Sequence, residues 1–237
     1  MEQMFKGEPH KVTKPLPQFV KWVSDNSFVL KRDGKNMLVD CKTGKEIEYI
    51  EPQILKTEVK ATPEIIIKEN DLWLRKSAGD ERLTNNKDAE KNPTLSPDNN
   101  YVAFTRNNNL FTINLSNKNE NQLTFDGTDV ILNGYASWVY FEEILGRPTR
   151  YRSFWWNPNS KNIAYMHMNE SMVPMFPIYS EEGQHGFIEQ TRYPKVGDKN
   201  PEVKIGVVGA DGGTTVWAAF NEKDDQYFGL PYWKPDG

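Results

Sequence analysis

The fold of this chain is decided by the stretch LSPDNNYVAFT at residues 95–105. It joins a turn rich in Pro, Asp and Asn to a run of aromatic and β-branched residues, which is the pattern of a strand that begins directly after a tight turn. A second run of this type, residues 110–115, follows Asn107-Asn108-Asn109. Because Asn tolerates the left-handed backbone of a short hairpin turn, the two runs predict an antiparallel β-hairpin.

The turn at residues 95–99 recurs along the chain as Trp/Leu-x-Ser/Pro-Asp/Asn-x. Its copies are Trp22–Asn26, Leu95–Asn99, Trp156–Ser160 and Trp233–Gly237. A repeated turn before a strand is typical of β-propeller blades, but these copies are farther apart than one blade of about 40 to 50 residues. We predict an additional blade with a degenerate turn at residues 59–85, and insertions at 129–150 and 171–200.

The remaining pattern is also of β type. Asp33-Gly34 separates two short apolar runs and predicts another tight hairpin. No long stretch has helical periodicity, so we predict an all-β fold of four-stranded antiparallel blades, with at most short helical turns, one of them around Glu142. A β-sandwich with accidental repeats is the alternative fold.

Two adjacent carboxylates, Glu142 and Glu143, lie in the aromatic and aliphatic segment ASWVYFEEILGR at residues 136–147. A carboxylate near apolar surface needs a cation or several donors to offset its desolvation, and two neighbours repel each other. A primary ammonium supplies three charged donors and would fit such a pair. The alternative is a solvated helix end, where acids favour the first turn.

The order of motifs around this pair is more specific than the pair itself. The motifs are WVYFEE at 138–143, YRSFWWNPNSKNIAY at 151–165, VP at 173–174, YPKVG at 193–197 and NP at 200–201. Together they resemble the propeller domain of the dipeptidyl peptidase IV family, serine exopeptidases that release X-Pro and X-Ala dipeptides from free N-termini. The resemblance implies that Glu142 and Glu143 hold the α-ammonium of the substrate. Tyr140 and Arg152 are candidate supporting residues, and Arg152 is either a counter-charge for the pair or a surface residue.

The resemblance also implies an architecture. It suggests that residues 1–237 are an incomplete N-terminal propeller of about five blades, where the family has eight, without the C-terminal α/β-hydrolase domain. We expect peptide N-termini as partners, no cofactor, an exported or periplasmic homodimeric parent protein, and self-association of this fragment through its open blade faces. The alternative function is a non-catalytic propeller that binds other proteins.

Composition excludes few other classes of function. The chain has 37% hydrophobic residues and a net charge of −4, so it can bury a core and has no polyelectrolyte character that would favour nucleic acid. No apolar run reaches the ~18 residues of a membrane-spanning helix, and residues 1–9 lack the apolar segment of a signal peptide. The single Cys41 excludes an intrachain disulfide.

We predict no catalytic residues in this chain. The Gly-x-Ser-x-Gly turn of α/β-hydrolases is missing, and Ser77 is its nearest approach. His10, His167 and His185 are scattered, and His167 lies in a strand-like run where a structural role is favoured. We also predict no metal site, because no Cys/His spacing typical of metal ligands occurs.

Overall fold

The structure is a computed structural model that describes residues 16–51, 63–235 and 237. It is all-β apart from two short helical turns in the described residues, as predicted. The chain divides into two compact units, Met1–Val59 with Trp233–Gly237, and Lys60–Tyr232. In the described part of the chain, four sheets have the antiparallel, blade-like form that the repeats predict, and a separate two-stranded hairpin accompanies them.

The first unit contains one four-stranded antiparallel sheet, sheet I. Its strands, in spatial order, are β1 (Gln18–Ser24), β2 (Ser27–Arg32), β3 (Lys35–Asp40) and β4 (Glu46–Glu48). Asp33 and Gly34 link β2 to β3 with φ of 51° and 82°, which confirms the predicted tight hairpin. The aromatic side chains of Phe19, Trp22 and Phe28 contact one another with ring centroids 5.5–6.2 Å apart.

The second unit begins with sheets II and III. Sheet II has three strands, which are β5 (Glu64–Lys68), β6 (Asp71–Arg75) and β7 (Glu81–Arg82). It occupies the position of the blade with the degenerate turn, although residues 59–62 of that blade lie outside the described residues. Sheet III has four strands, which are β8 (Lys91–Leu95), β9 (Tyr101–Arg106), β10 (Asn109–Asn114) and β11 (Glu120–Gln122). Asn107 and Asn108 form the β9–β10 turn with φ of 49° and 56°, as predicted.

Sheet IV completes the second unit and carries both predicted insertions. Its strands are β12 (Ile131–Asn133), β13 (Phe154–Trp156), β14 (Asn162–Asn169), β17 (Glu202–Gly209) and β18 (Val216–Trp217). Between β14 and β17 the chain forms a separate hairpin of β15 (Met175–Ser180) and β16 (Phe187–Arg192). We call residues 171–200 the hairpin excursion.

The repeated turns lead into strands because their side chains organise the backbone. In sheet III, Asp98 Oδ1 accepts hydrogen bonds from Ser96 Oγ (2.6 Å) and from the Asn100 amide (3.0 Å). In sheet IV, Asn157 Oδ1 accepts from the amides of Lys161 and Asn162, both at 3.0 Å. These bonds replace strand pairing where the chain reverses, so β9 and β14 begin at fixed positions. The copy at Trp233–Gly237 includes Asp236, which lies outside the described residues.

The core of the second unit lies between successive sheets. Val102 and Phe104 of β9 pack in a cluster with Leu72 of sheet II. Ala103, which points to the opposite face of the same strand, packs in a cluster with Phe154 of sheet IV. Both faces of sheet III are therefore buried, which explains its uninterrupted apolar runs. Three sheets packed in succession are the arrangement of propeller blades, and the two-sheet sandwich considered from the sequence is wrong.

Candidate functional site

One edge of sheet IV is formed by two short strands, β12 and β13, instead of one continuous strand. Strands β12 and β13 lie end to end along the same edge of β14, with Asn133 opposite His167 and Phe154 opposite Tyr165. Residues 134–153 leave the sheet between them, and we call them the glutamate loop. The predicted insertion of 129–150 is therefore displaced, because residues 131–133 belong to the sheet.

The base of the glutamate loop is closed by backbone hydrogen bonds. The Gly134 amide donates to Met166 O of β14 (2.9 Å), the Ser153 amide donates to Gly134 O (2.9 Å), and the Ala136 amide donates to Tyr151 O (2.7 Å). Gly134 has a φ of 66°, and an added Cβ would approach neighbouring side-chain atoms to 3.2 Å. A glycine is needed there because the backbone is left-handed and space is short. The loop thus starts and ends at a fixed place.

Glu142 and Glu143 lie on a single π-helical turn, Tyr140–Ile144, within this loop. The Leu145 amide donates to Tyr140 O at 2.7 Å, a bond that spans five residues. Such turns are rare and frequently occur at functional sites. Tyr140 is fully buried, and its hydroxyl accepts a hydrogen bond from the Phe228 amide (3.2 Å). The carboxylates are therefore carried by a turn that is anchored on its apolar side.

The apolar side chains of the loop form one cluster with sheet IV. The buried members are Leu132, Ala136, Tyr140, Leu145, Met166, Met168 and Val203, and Val139, Phe141 and Ile144 pack against them. Burial of each large side chain contributes roughly 1.5–3 kcal/mol. This packing, rather than helix propensity, holds so short a turn in place.

The two carboxylates have different surroundings. The side chain of Glu142 is only 14% exposed, and its Oε2 accepts a hydrogen bond from Arg147 Nε at 2.5 Å. The Arg147 side chain is 77% exposed, so solvent screens this ion pair strongly. Glu143 is exposed and forms no ion pair or hydrogen bond with a described residue. Glu142 is thus a largely buried carboxylate, and the exposed Glu143 beside it is available to bind another cation.

Three stacked aromatic rings flank the glutamates. Phe141 stacks on Tyr151 with centroids 3.9 Å apart, and Tyr151 stacks on Tyr135 at 5.1 Å. Burial raises the pKa of Tyr151 to about 12, and the nearby Tyr135, Glu189 and Glu142 add to the rise. The phenol therefore stays neutral at ordinary pH and keeps a proton to donate.

Comparison with known proteins identifies the family of the chain. Residues 24–237 match the family model described as the dipeptidyl peptidase IV N-terminal region. The chain belongs to this family.

Relatives in the family are much longer than this chain. Dipeptidyl peptidase 4 of Felis catus is 27% identical over 221 residues, which are 81% of this chain and 28% of the cat protein. "Probable dipeptidyl-aminopeptidase B" of Arthroderma benhamiae is 37% identical over 124 residues, which are 47% of this chain and 13% of the fungal protein. The crystal structure of Porphyromonas gingivalis dipeptidyl peptidase 4 aligns with 94% of this chain and 35% of its own, at a TM-score of 0.52 and 18% identity. This likeness confirms the β-propeller fold.

The predicted supporting residues lie on either side of the glutamates. Tyr140 anchors the π-helical turn from beneath, as described above. Arg152 is not the counter-charge that we expected, because no carboxylate of a described residue lies within 4.0 Å of it and Arg147 pairs with Glu142 instead. Arg147 begins the next helical turn, Arg147–Thr149, after Gly146 at a φ of 81°, and the sequence did not reveal that the chain would bend there and bring Arg147 to Glu142.

The hairpin excursion contacts the glutamate loop. Trp138 of the loop meets Tyr193 edge-on, with ring centroids 4.8 Å apart. At the base of the excursion, Glu170 is buried, and burial raises the pKa of its carboxyl to about 7, although Arg192 lowers it in part. No motif marks this carboxyl in the sequence, because Glu170 simply follows the last residue of β14.

The remaining candidate residues do not assemble a catalytic centre. His167 lies in β14 as predicted, where its Nε2 is 2.9 Å from Asp126 Oδ2. Ser77 and His185 are exposed on turns, and His10 lies outside the described residues. Within residues 16–51 and 63–235, no group of three or more metal-ligating side chains occurs, and no helix is long and apolar enough to cross a bilayer.

Proposed function

We propose that this chain is the substrate-selecting part of a dipeptidyl peptidase IV-like serine exopeptidase that releases X-Pro and X-Ala dipeptides. In this proposal Glu142 and Glu143 bind the α-ammonium of the substrate. The supporting observation is their placement on a π-helical turn outside the sheets that is anchored by the buried Tyr140, with Glu142 shielded and Glu143 unpaired among the described residues.

The chemistry of the pair suits an ammonium. Hydrogen bonds between ionised partners are roughly twice as strong as neutral ones, and an ammonium offers three donors to the two carboxylates. Arg147 already supplies a cation to Glu142, but its side chain is largely in solvent and can move aside at small cost. A substrate ammonium bound to Glu142 would replace the solvent-exposed ion pair with Arg147 by an ion pair that is protected from solvent.

Fixing the N-terminus would select the bond to be cut. An ammonium held at a set distance from a nucleophile places one peptide bond for attack, and this positioning accelerates the reaction. A peptide with a blocked N-terminus would bring no charged donors to the two carboxylates and would be rejected. The nucleophile would come from a hydrolase domain elsewhere in the whole protein.

The test is kinetic and uses the whole protein that contains this chain. Glu142→Gln and Glu143→Gln should each lower kcat/KM for an Ala-Pro chromogenic substrate by roughly 30- to 1000-fold, corresponding to about 2–4 kcal/mol. Glu64→Gln is the matched control, because Glu64 is an exposed glutamate paired with Arg75 on β5. We expect wild-type kcat/KM from this control.

Two outcomes would contradict the proposal. Unchanged kcat/KM in both glutamine variants would show that the substrate ammonium does not bind to this loop. Equal kcat/KM for free and N-acetylated substrates would show that the enzyme does not recognise a free N-terminus. A whole protein without any peptidase activity would instead favour the protein-binding alternative.

By resemblance to the family, we also propose that the whole protein is exported and forms a homodimer. Fractionation of the source cells and sedimentation equilibrium of the purified protein test these two statements separately. A cytosolic or strictly monomeric protein would contradict them.

A further inference from the structure

A second site is indicated by a cavity of about 460 Å³ in the second unit, which we call the arginine cavity. Lys91 of β8 and Tyr135, Arg150 and Arg152 of the glutamate loop line it, together with Glu90. Three of these five side chains are cationic. The cavity therefore has an excess of positive charge on its walls.

The arginines of the cavity differ from all others in the chain. The chain has eight arginines, all of them in the described residues. Six of them lie within 4.0 Å of a carboxylate, namely Arg32, Arg75, Arg82, Arg106, Arg147 and Arg192. The two arginines without such a partner among the described residues are Arg150 and Arg152, and both line this cavity. The absence of a counter-charge is thus local to the cavity.

Arg152 shows the consequence most clearly. Its Nη1 donates to Thr94 Oγ1 at 3.1 Å, but its Nε is buried and has no hydrogen-bond partner in the described part of the chain. Burial without a nearby carboxylate lowers the pKa of this guanidinium. A half-buried cation of this kind is stabilised when an anion supplies the missing charge and acceptors.

The other walls of the cavity point to the same class of ligand. Lys91 Nζ lies 4.8 Å from the centre of the Tyr135 ring and has no carboxylate within 4.0 Å among the described residues. The Glu90 carboxylate does not neutralise these cations, because Arg106 Nη1 (3.2 Å) and Asn86 Nδ2 (2.6 Å) already bind its Oε1.

Two further atoms of residues that line the cavity are buried without a hydrogen-bond partner among the described residues. They are the donor Asn92 Nδ2 and the acceptor Glu90 Oε2. A fully deprotonated inorganic anion such as sulfate offers acceptors only, whereas a peptide offers both a carboxylate and amide N–H donors. The unpaired atoms therefore favour a peptide ligand over a free anion.

We propose that the arginine cavity binds a carboxylate of a peptide ligand through Arg152, Arg150 and Lys91. This site goes beyond the proposed ammonium site and has the opposite charge. The two are connected through the stacked rings of Tyr135, Tyr151 and Phe141, the last of which adjoins Glu142. The glutamate loop thus presents acidic groups at one end of the stack and basic groups at the other.

The test measures binding to the 237-residue chain by calorimetry with N-acetylated tripeptides, which have no free ammonium. Acetyl-Ala-Ala-Glu-amide has only a side-chain carboxylate, acetyl-Ala-Ala-Ala has only a C-terminal one, and acetyl-Ala-Ala-Ala-amide has neither. We expect at least one of the two acids to bind at least tenfold more tightly than the neutral peptide. Which acid binds identifies the source of the carboxylate.

Variants connect the binding to the cavity. Arg152→Met should weaken binding of the acid at least tenfold. Arg150→Gln, at an exposed position, should weaken it about threefold or more without risk to the fold. Arg75→Met is the matched control, because its guanidinium pairs with Glu64 away from the cavity, and it should bind like the wild type.

Three results would overturn the proposal. The first is equal binding of acidic and neutral peptides, and the second is tight binding that survives both Arg150→Gln and Arg152→Met. The third is inorganic phosphate displacing the acid at lower concentration than the peptide itself requires, which would assign the cavity to a free oxyanion. Because all the peptides are acetylated, none of these results depends on the ammonium site at Glu142 and Glu143.

Discussion

The glutamate loop and the hairpin excursion leave the same sheet but use their apolar side chains in opposite ways. The loop buries Tyr140, Leu145 and Ala136 against sheet IV and closes its base with backbone hydrogen bonds. The hairpin pairs β15 with β16 and leaves Met175, Tyr179, Phe187 and Ile188 more than half exposed. A segment that must hold charges in fixed positions is anchored from beneath, whereas one with exposed apolar groups is suited to contact a partner.

The strongest test of this difference removes the anchor of the loop. Tyr140→Ala should lower the free energy of unfolding by about 3–5 kcal/mol, because it leaves a cavity and deletes a buried hydrogen bond. Tyr179→Ala, on the exposed face of the hairpin, should change it by less than about 0.5 kcal/mol. Urea unfolding of the two variants measures both. Equal losses would mean that the two excursions are anchored alike.

A second test uses the buried carboxyl at the base of the hairpin excursion. The pKa of Glu170 is about 7 in the folded chain, against an ordinary 4.5, because burial disfavours its charge. The folded state therefore binds the proton more tightly, so the contribution of Glu170 to stability is fully present below about pH 4.5 and is lost as the pH rises to about 7. The expected loss is about 3 kcal/mol.

Glu170→Gln isolates this effect, since it removes the titrating group while preserving its shape. This variant should lack the loss between about pH 4.5 and 7 and should be more stable than the wild type at pH 8. Glu182→Gln, an exposed position near the hairpin tip, should keep the wild-type profile. Superimposable profiles for all three proteins would show that Glu170 does not titrate in this range.

A third test addresses the exposed face of the hairpin. Tyr179 and Ile188 are directly opposite each other across β15 and β16. If the chain self-associates through this face, replacing both by Ser should weaken the association about tenfold, because apolar contact area is lost, while fold stability changes little. Sedimentation velocity over a concentration series measures this, with Gln190→Ser as the polar control on the same strand. Undiminished association would place the contact surface elsewhere.

The smallest expected effect concerns the ion pair of the loop. Arg147→Met should alter stability by less than about 1 kcal/mol, because the arginine is mostly in solvent. If Arg147 occupies the place of a substrate ammonium, the variant should also lower KM for unblocked peptides about two- to fivefold in the whole protein. Steady-state kinetics and urea unfolding provide the two readouts. A higher KM would mean that Arg147 assists binding instead.

Local chemistry made much of the fold predictable. The Asp33-Gly34 and Asn107-Asn108 turns formed where positive φ was required, and Asp98 and Asn157 placed the strands that follow them. The blade-like sheets were predictable because each repeat contains its own turn signal. The limits of the insertion predicted at 129–150 could not be predicted, because β12 and β13 form one edge of sheet IV only when both pair with β14.

The candidate site divides in the same way. Adjacency and composition are properties of the chain, so the sequence was sufficient to show that Glu142 and Glu143 share one short segment with aromatic neighbours. The folded structure was needed to show that Glu142 is shielded and pairs with Arg147, and that among the described residues Glu143 has no ionic partner and Arg152 has no carboxylate within 4.0 Å. Exposure and ion pairing depend on how the chain folds back on itself: Arg147 reaches Glu142 across the bend at Gly146, and Arg152 donates to Thr94 of the neighbouring sheet III.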